Sequence, residues 1–182
     1  MPGCQPSGED DHLGPVGDFQ FTERSGRPVS RDDLQGKVWV AAFFFTRCAG
    51  PCTQLSGCLA QLQEQLAGQK DLILVSFTVD PENDTPEVLR AYAAKFQAEP
   101  ERWLFLMGDE KKLYSLIEKS FMLGVAQNQG TARTPGNEVM HSTRLVVVDR
   151  HGEKRGYFDV VNDPEGMAKL KKKIALLLRE KT

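Results

Sequence analysis

Three cysteines fall within eleven residues of this chain: Cys48, Cys52 and Cys58. The first two bracket the turn Cys48-Ala-Gly-Pro-Cys52, directly after a run of apolar residues and directly before a helical pattern. A thiolate at such a strand-to-helix junction sits near unpaired backbone N–H groups and the positive end of the helix dipole, so its pKa falls. A populated thiolate is a good soft-metal ligand and a good nucleophile on disulfides. Residues four apart on a helix point to nearly the same side. Cys48 and Cys52 are therefore able to face one ligand together, or to close a disulfide if Cys48 lies in the turn. Cys58 lies six residues after Cys52, which on a helix is about 120° around and roughly 9 Å along the axis. It reads as a small buried hydrophobe outside the site. Cys4 lies in a polar leader.

The elements that must position this pair follow from periodicity. Val38 to Phe45 is a continuous apolar run of eight residues, the pattern of a strand covered on both faces. The helix after Cys52 carries Leu55, Leu59, Leu62 and Leu66 as one stripe. Leu72 to Val79 is a second central strand. Thr85-Pro86 opens a helix with a capping hydroxyl and a first-turn proline, and Val88, Leu89, Tyr92, Ala93 and Phe96 give it an apolar side. Trp103 to Met107 is a third strand. Asp109 caps a helix bearing Leu113, Leu116, Ile117 and Phe121. Gln127 to Asn137 reads as a polar loop. Leu145–Val148 and Arg155–Phe158 pair as a hairpin around His151-Gly152, and a last helix runs from about Pro164 to Leu178. Upstream, Phe19 and Phe21 with the segment around Val29 suggest an N-terminal hairpin. Residues 1–17 read as a flexible leader, and residues 18–182 as one domain. Strands separated by helices pair in parallel and the closing hairpin antiparallel. The expected fold is α/β and thioredoxin-like: a mixed central sheet with helices on both faces and an N-terminal hairpin extension.

Charge narrows the function. Lys plus Arg number 23 against 25 Asp plus Glu, a formal charge of -2, which gives no footprint for nucleic acid. The basic run Lys169–Lys173 reads as a solvated helix face. Eight apolar residues fall far short of the ~20 of a spanning helix. Met1-Pro2-Gly3-Cys4 has neither the basic nor the apolar region of a signal peptide; a tether would belong to a longer form of the protein.

Three separated segments, in order, resemble the Sco family of copper-binding cytochrome c oxidase assembly proteins. They are Phe44-Phe-Thr-Arg-Cys-Ala-Gly-Pro-Cys52, Phe77-Thr-Val-Asp-Pro-Glu-Asn-Asp-Thr-Pro86, and Met140-His-Ser-Thr followed by Leu145 to Asp149 and Gly152. The resemblance runs from about Phe19 to Leu178. It implies that Cys48, Cys52 and His141 are the metal ligands, that Asp80 is a supporting or partner-recognition residue, and that the cargo is copper, as Cu(I) or Cu(II). Two thiolates and an imidazole suit copper independently, although zinc also accepts such donors. Arg47, Ala49, Thr53 and Met140 depart from the family pattern. Arg47 is placed to stabilise a Cys48 thiolate or to contact an acidic partner.

The resemblance further implies a metallochaperone for the dinuclear copper centre of cytochrome c oxidase. Its partners would be the oxidase's copper-centre subunit and other copper or thiol-exchange proteins. Its expected location is the cell envelope, or the mitochondrial inner membrane facing the intermembrane space, in membrane association. A thiol–disulfide reductase using Cys48 and Cys52 on the oxidase's cysteines is the alternative, and a thiol peroxidase a weaker one.

Overall fold

The computed structural model describes residues 12–180. Its centre is a seven-stranded sheet. The strands are β1 (Gln20–Glu23), β2 (Pro28–Ser30), β3 (Val38–Phe44), β4 (Leu72–Thr78), β5 (Trp103–Met107), β8 (Leu145–Val148) and β9 (Lys154–Phe158), in the spatial order β2-β1-β5-β4-β3-β8-β9. A separate pair, β6 (Val125–Gln127) and β7 (Val139–His141), forms a two-stranded antiparallel ribbon. The helices are α1 (Pro51–Gln65), α2 (Pro86–Lys95), α3 (Glu110–Ser115) and α4 (Gly166–Arg179).

β3 and β4 run parallel in full register from Val38↔Leu72 to Phe44↔Thr78, and β5 extends the parallel set. β8 and β1 pair antiparallel at its two sides. All seven β3 residues are buried, as the continuous apolar run requires of a strand with packing on both faces. The pleat sends alternate side chains to opposite faces. Phe44 stacks on Tyr92 of α2 at 5.2 Å, and the Tyr92 hydroxyl is 3.0 Å from Ser56 Oγ of α1, so α1 and α2 share that face. Both βαβ crossovers step in one direction along the sheet, and right-handed connections then place both helices on one side. On the other face Trp39 and Phe43 meet Phe121 edge-on at 6.1 and 5.1 Å, and Phe77 meets Phe19 at 5.5 Å.

The caps fall where the sequence predicts them: Thr85 Oγ1 accepts from the Val88 N–H, and Asp109 Oδ1 from the Lys112 N–H. The third helix differs from expectation. After Ser115 it widens into a π-helical turn, Leu116–Ser120, closed by Phe121 N–H donating to the Leu116 carbonyl at 3.1 Å. Phe121 leaves this wider turn pointing into the sheet.

The polar stretch expected as a loop, Gln127 to Asn137, connects the two strands of the β6–β7 ribbon and carries a 3-10 turn at Gly130–Ala132. Part of the expected leader is also tied down. Leu13 and Val16 donate to the carbonyls of Lys154 and Gly152, Lys154 donates to the Gly14 carbonyl, and Val16 is wholly buried. An edge strand offers free backbone groups, and this segment uses them. Residues 1–11 of that leader, with Cys4, lie outside the described residues.

Candidate metal centre

The site is assembled where β3 ends. Thr46 and Arg47 turn the chain, Cys48 lies in the turn, and Cys52 is the second residue of α1, after Pro51 at its start. The turn is fastened from below by Asp84, which is completely buried. Its carboxylate accepts from the Thr46 N–H at 3.2 Å, from the Thr46 hydroxyl and from the Thr78 hydroxyl. Thr78 Oγ1 in turn accepts from the Asp80 N–H at 3.0 Å. Burial pushes the Asp84 carboxyl up, against the pull of the two hydroxyls. Asp84 thus joins the end of β3 to the end of β4.

His141 arrives from the far side, at the end of β7. Its ring stands edge-on to Phe45 at 5.7 Å. Nδ1 is 3.0 Å from the Ser142 carbonyl oxygen. A carbonyl only accepts, so Nδ1 carries a hydrogen and Nε2 is the ring nitrogen turned toward the sulfurs. That Nε2 lies 3.2 Å from Cys52 Sγ. The donor atoms of Cys48, Cys52 and His141 all lie within 4.8 Å of one another, the only such group of three His, Cys, Asp or Glu residues among those described. Residues 89 positions apart thereby share one small volume.

The two sulfurs differ in character. Cys48 is half-buried, while Cys52 is 1% exposed. Hydrogen bonds from the Cys52 thiol and, against the cost of burial, from the His141 ring and the backbone N–H groups of Cys52 and Gly50 hold Cys48 well below the ordinary thiol range, at about 4. Donating to Cys48, together with burial, pushes Cys52 up. The site therefore sets an acidified sulfur near its surface, a second sulfur beneath it and an imidazole nitrogen beside them. A depression of about 390 Å³ opens over this group, lined by Phe45, Cys48, Pro51, Val139 and His141 among others. This donor set is soft and partly exposed, as a site that takes up and releases a thiophilic ion requires.

Three contacts hold the histidine side to the cysteine side. Ala49 N–H donates to the Gly136 carbonyl at 3.0 Å. Gly136 has φ +82, and a Cβ there would lie 2.4 Å from that of Ala49, so both its conformation and the close approach require glycine. Arg47 bridges Asp80 Oδ2 at 2.9 Å and Glu138 Oε1 at 3.5 Å, and the Phe45–His141 ring contact completes the seam. Arg47 therefore engages two carboxylates of its own chain, and Asp80 supports the turn through Arg47 and Asn83. Cys58 points away from the site, with Sγ 3.8 Å from the Val160 carbonyl. The sequence reading passed over Asp84, Gly136 and Glu138. Asp84 stood within the quoted Asp-Pro-Glu-Asn-Asp-Thr-Pro segment, and Gly136 was one glycine in a polar loop; neither spacing nor residue type marked them out.

Known proteins agree with this arrangement. The SCO1/SenC family profile matches residues 8–176. The SCO1 protein homolog of Bacillus subtilis is 30% identical over 164 residues, covering 84% of this chain and 82% of its own. The crystal structure of a SCO1/SenC family lipoprotein from Bacillus anthracis superposes with a TM-score of 0.80 at 30% identity, over 90% of this chain and 94% of that one. BsSco, described as having a disulfide switch and as a member of the Sco family of cytochrome c oxidase assembly proteins, gives 0.80 at 28% identity, over 94% and 98%. With matching fold, matching length and the two cysteines and histidine brought together, this chain belongs to the SCO1/SenC family.

Proposed function

We propose that this protein is a copper metallochaperone that binds copper through Cys48, Cys52 and His141 and serves assembly of the dinuclear copper centre of cytochrome c oxidase. The observation that carries this reading is the convergence of two sulfurs and an imidazole nitrogen within 4.8 Å at a half-open surface. Loading Cu(I) displaces the one hydrogen left on Cys52, so uptake releases a proton. Cys48, at the surface, is the sulfur an incoming thiolate reaches first, and release proceeds by exchange of one protein donor at a time. Oxidation of the two thiolates to a disulfide, with two electrons passing to an acceptor, removes both sulfur donors and couples copper occupancy to redox state. Membership of a family that includes an oxidase assembly protein supports the oxidase's copper-centre subunit as the recipient. The lipoprotein relative supports a working place at a membrane surface in the cell envelope, or its mitochondrial equivalent. No helix among the described residues is long and apolar enough to cross a membrane.

A second reading has its own observation. A surface thiolate above a buried thiol is the arrangement of an attacking and a resolving cysteine. In that reading Cys48 attacks a partner disulfide, Cys52 displaces the partner from the mixed disulfide, and the partner leaves as a dithiol while Cys48–Cys52 becomes the disulfide. His141 separates the two readings, since thiol exchange does not need its lone pair. The test is an anaerobic, spectroscopically monitored copper titration of the reduced protein beside Cys48→Ser/Cys52→Ser and His141→Ala. One-to-one binding that needs both sulfurs and weakens without the imidazole is the expected result. Absence of specific binding with both thiols still reactive would overturn the metallochaperone reading and leave the reductase.

A further inference from the structure

Away from the cysteines the molecule carries a larger hollow, about 970 Å³, between residues 15–21 and the helix formed by α3 and its π-helical extension. Phe19, Phe21 and Leu116 give it an apolar floor, and Lys111, Lys112 and Lys119 stand along its rim. All three lysines are exposed, and none forms an ion pair with a described residue. The one acid in the lining, Asp18, is already matched by Arg31 at 2.9 Å. Asp109, Glu110 and Glu118 lie on the same helix but do not line the hollow, so three lysines face one apolar cleft with a single acid beside them.

The cleft is also held open. The buried Lys154 ammonium donates to the Pro15 carbonyl at 3.3 Å and to the Ser120 carbonyl, and the Gly17 N–H donates to Ser120 Oγ. These bonds tie one wall to the other, so an occupant would not have to order the groove before entering it.

We propose that this groove docks an acidic peptide segment of a partner protein, with an apolar side chain, aromatic by preference, on Phe19, Phe21 and Leu116 and carboxylates on the three lysines. Two features choose this occupant. Lys111 and Lys119 stand eight steps apart along the helix and its π-helical turn, at most about 12 Å at the α-helical rise, which is longer than one headgroup and matches carboxylates spaced along an extended chain. The apolar floor between them matches a side chain flanked by acids, the pattern of an anchor with a charged rim. The groove would hold a partner by a surface separate from the ligands, leaving Cys48 free for exchange.

The test uses the whole protein and a fluorescein-labelled peptide, Glu-Asp-Phe-Asp-Glu, followed by fluorescence polarisation and by amide chemical shifts. The expected result is saturable binding that weakens with added salt, perturbs residues 17–21 and 111–120, and persists in Cys48→Ser/Cys52→Ser. Lys111→Glu/Lys119→Glu should weaken it about tenfold or more, as loss of steering and pairing charges does. Ser115→Trp, which fills the groove and keeps the charges, should also abolish it. Equal binding of Lys-Lys-Phe-Lys-Lys, undiminished binding to either variant, or shifts centred on Cys48 would overturn the proposal. So would failure of the peptide to bind while the lysines are needed for co-sedimentation with phosphatidylglycerol vesicles, which would assign them to a lipid surface.

Discussion

The two sides of the metal centre are built differently. Cys48 and Cys52 hang between β3, buried along its whole length, and α1, whose Leu55, Leu59 and Leu62 are buried in the core, and Asp84 fastens the turn from beneath. His141 ends a ribbon of two three-residue strands that lies outside the seven-stranded sheet. Beyond the 3.2 Å approach of its Nε2 to Cys52 Sγ, its hold on the cysteine side is one backbone hydrogen bond, one bridging arginine and one ring contact. The cysteine side is fixed by burial along a whole strand and helix, whereas the ribbon sinks only Val125 and Val139 into the core and meets the cysteine side through mostly polar contacts, each worth about 0.5–1.5 kcal/mol. In a protein that must let its cargo go, the imidazole is the donor most easily drawn aside without disturbing the core.

That asymmetry is open to attack from each side. The largest effect should come from Asp84→Ala, which leaves the Thr46 N–H, the half-buried Thr46 hydroxyl and the buried Thr78 hydroxyl without their acceptor. The expected cost is about 3 kcal/mol, or roughly 6–12 °C in Tm for a domain of this size. Calorimetry showing an unchanged Tm would mean the cysteine side is not fixed as described. Gly136→Val should cost less in global stability, about 1–3 kcal/mol for a β-branched residue at positive φ, but should separate the seam. Copper affinity should then fall to that of His141→Ala, with both sulfurs still binding. Retention of wild-type affinity would show that the ribbon tolerates the intrusion.

The smallest change is a flat line. With Cys48 held at about 4, its thiolate is complete well below neutrality. Its alkylation rate should vary little between about pH 6 and pH 9 and fall only as pH drops through the folded value. Burial raises Cys58, so its rate should climb steadily over the same range. Peptide-resolved mass spectrometry after iodoacetamide treatment of the reduced apo protein separates the two. A Cys48 rate that climbs with pH as Cys58's does would remove the surface thiolate from this account.

The central strands, the cap residues and the cysteine pair are legible in the sequence because each rests on local pattern: an apolar run, a Thr-Pro step, a turn between strand and helix. Placing His141 beside them took the order of three motifs, since no local rule links residues 89 apart. The β6–β7 ribbon was hidden because three-residue strands are too short to display a period of two. Residues 13–16 look like leader by composition, and only the free edge of the hairpin explains their pairing. Asp84, Arg47 and Glu138 act through side-chain bonds to distant segments, and charge or spacing along the chain carries no record of such a partner. The π-helical turn likewise follows from where Phe121 must point, which only the folded sheet defines.

The separation of the ligands along the chain also sets a schedule. Both sulfurs leave the ribosome before the imidazole, and at about 5–20 residues per second the 89-residue interval lasts roughly 4–18 s. Until β4, α2, β5 and α3 have formed, bringing the ring to the thiols costs about 4 kcal/mol of chain entropy for a loop of this length. A half-made chain therefore offers a metal ion two loose thiols and no third donor. The three donors come within 4.8 Å of one another only in the finished fold, so on the proposed reading the complete site is a product of folding and not of the local Cys48–Cys52 turn.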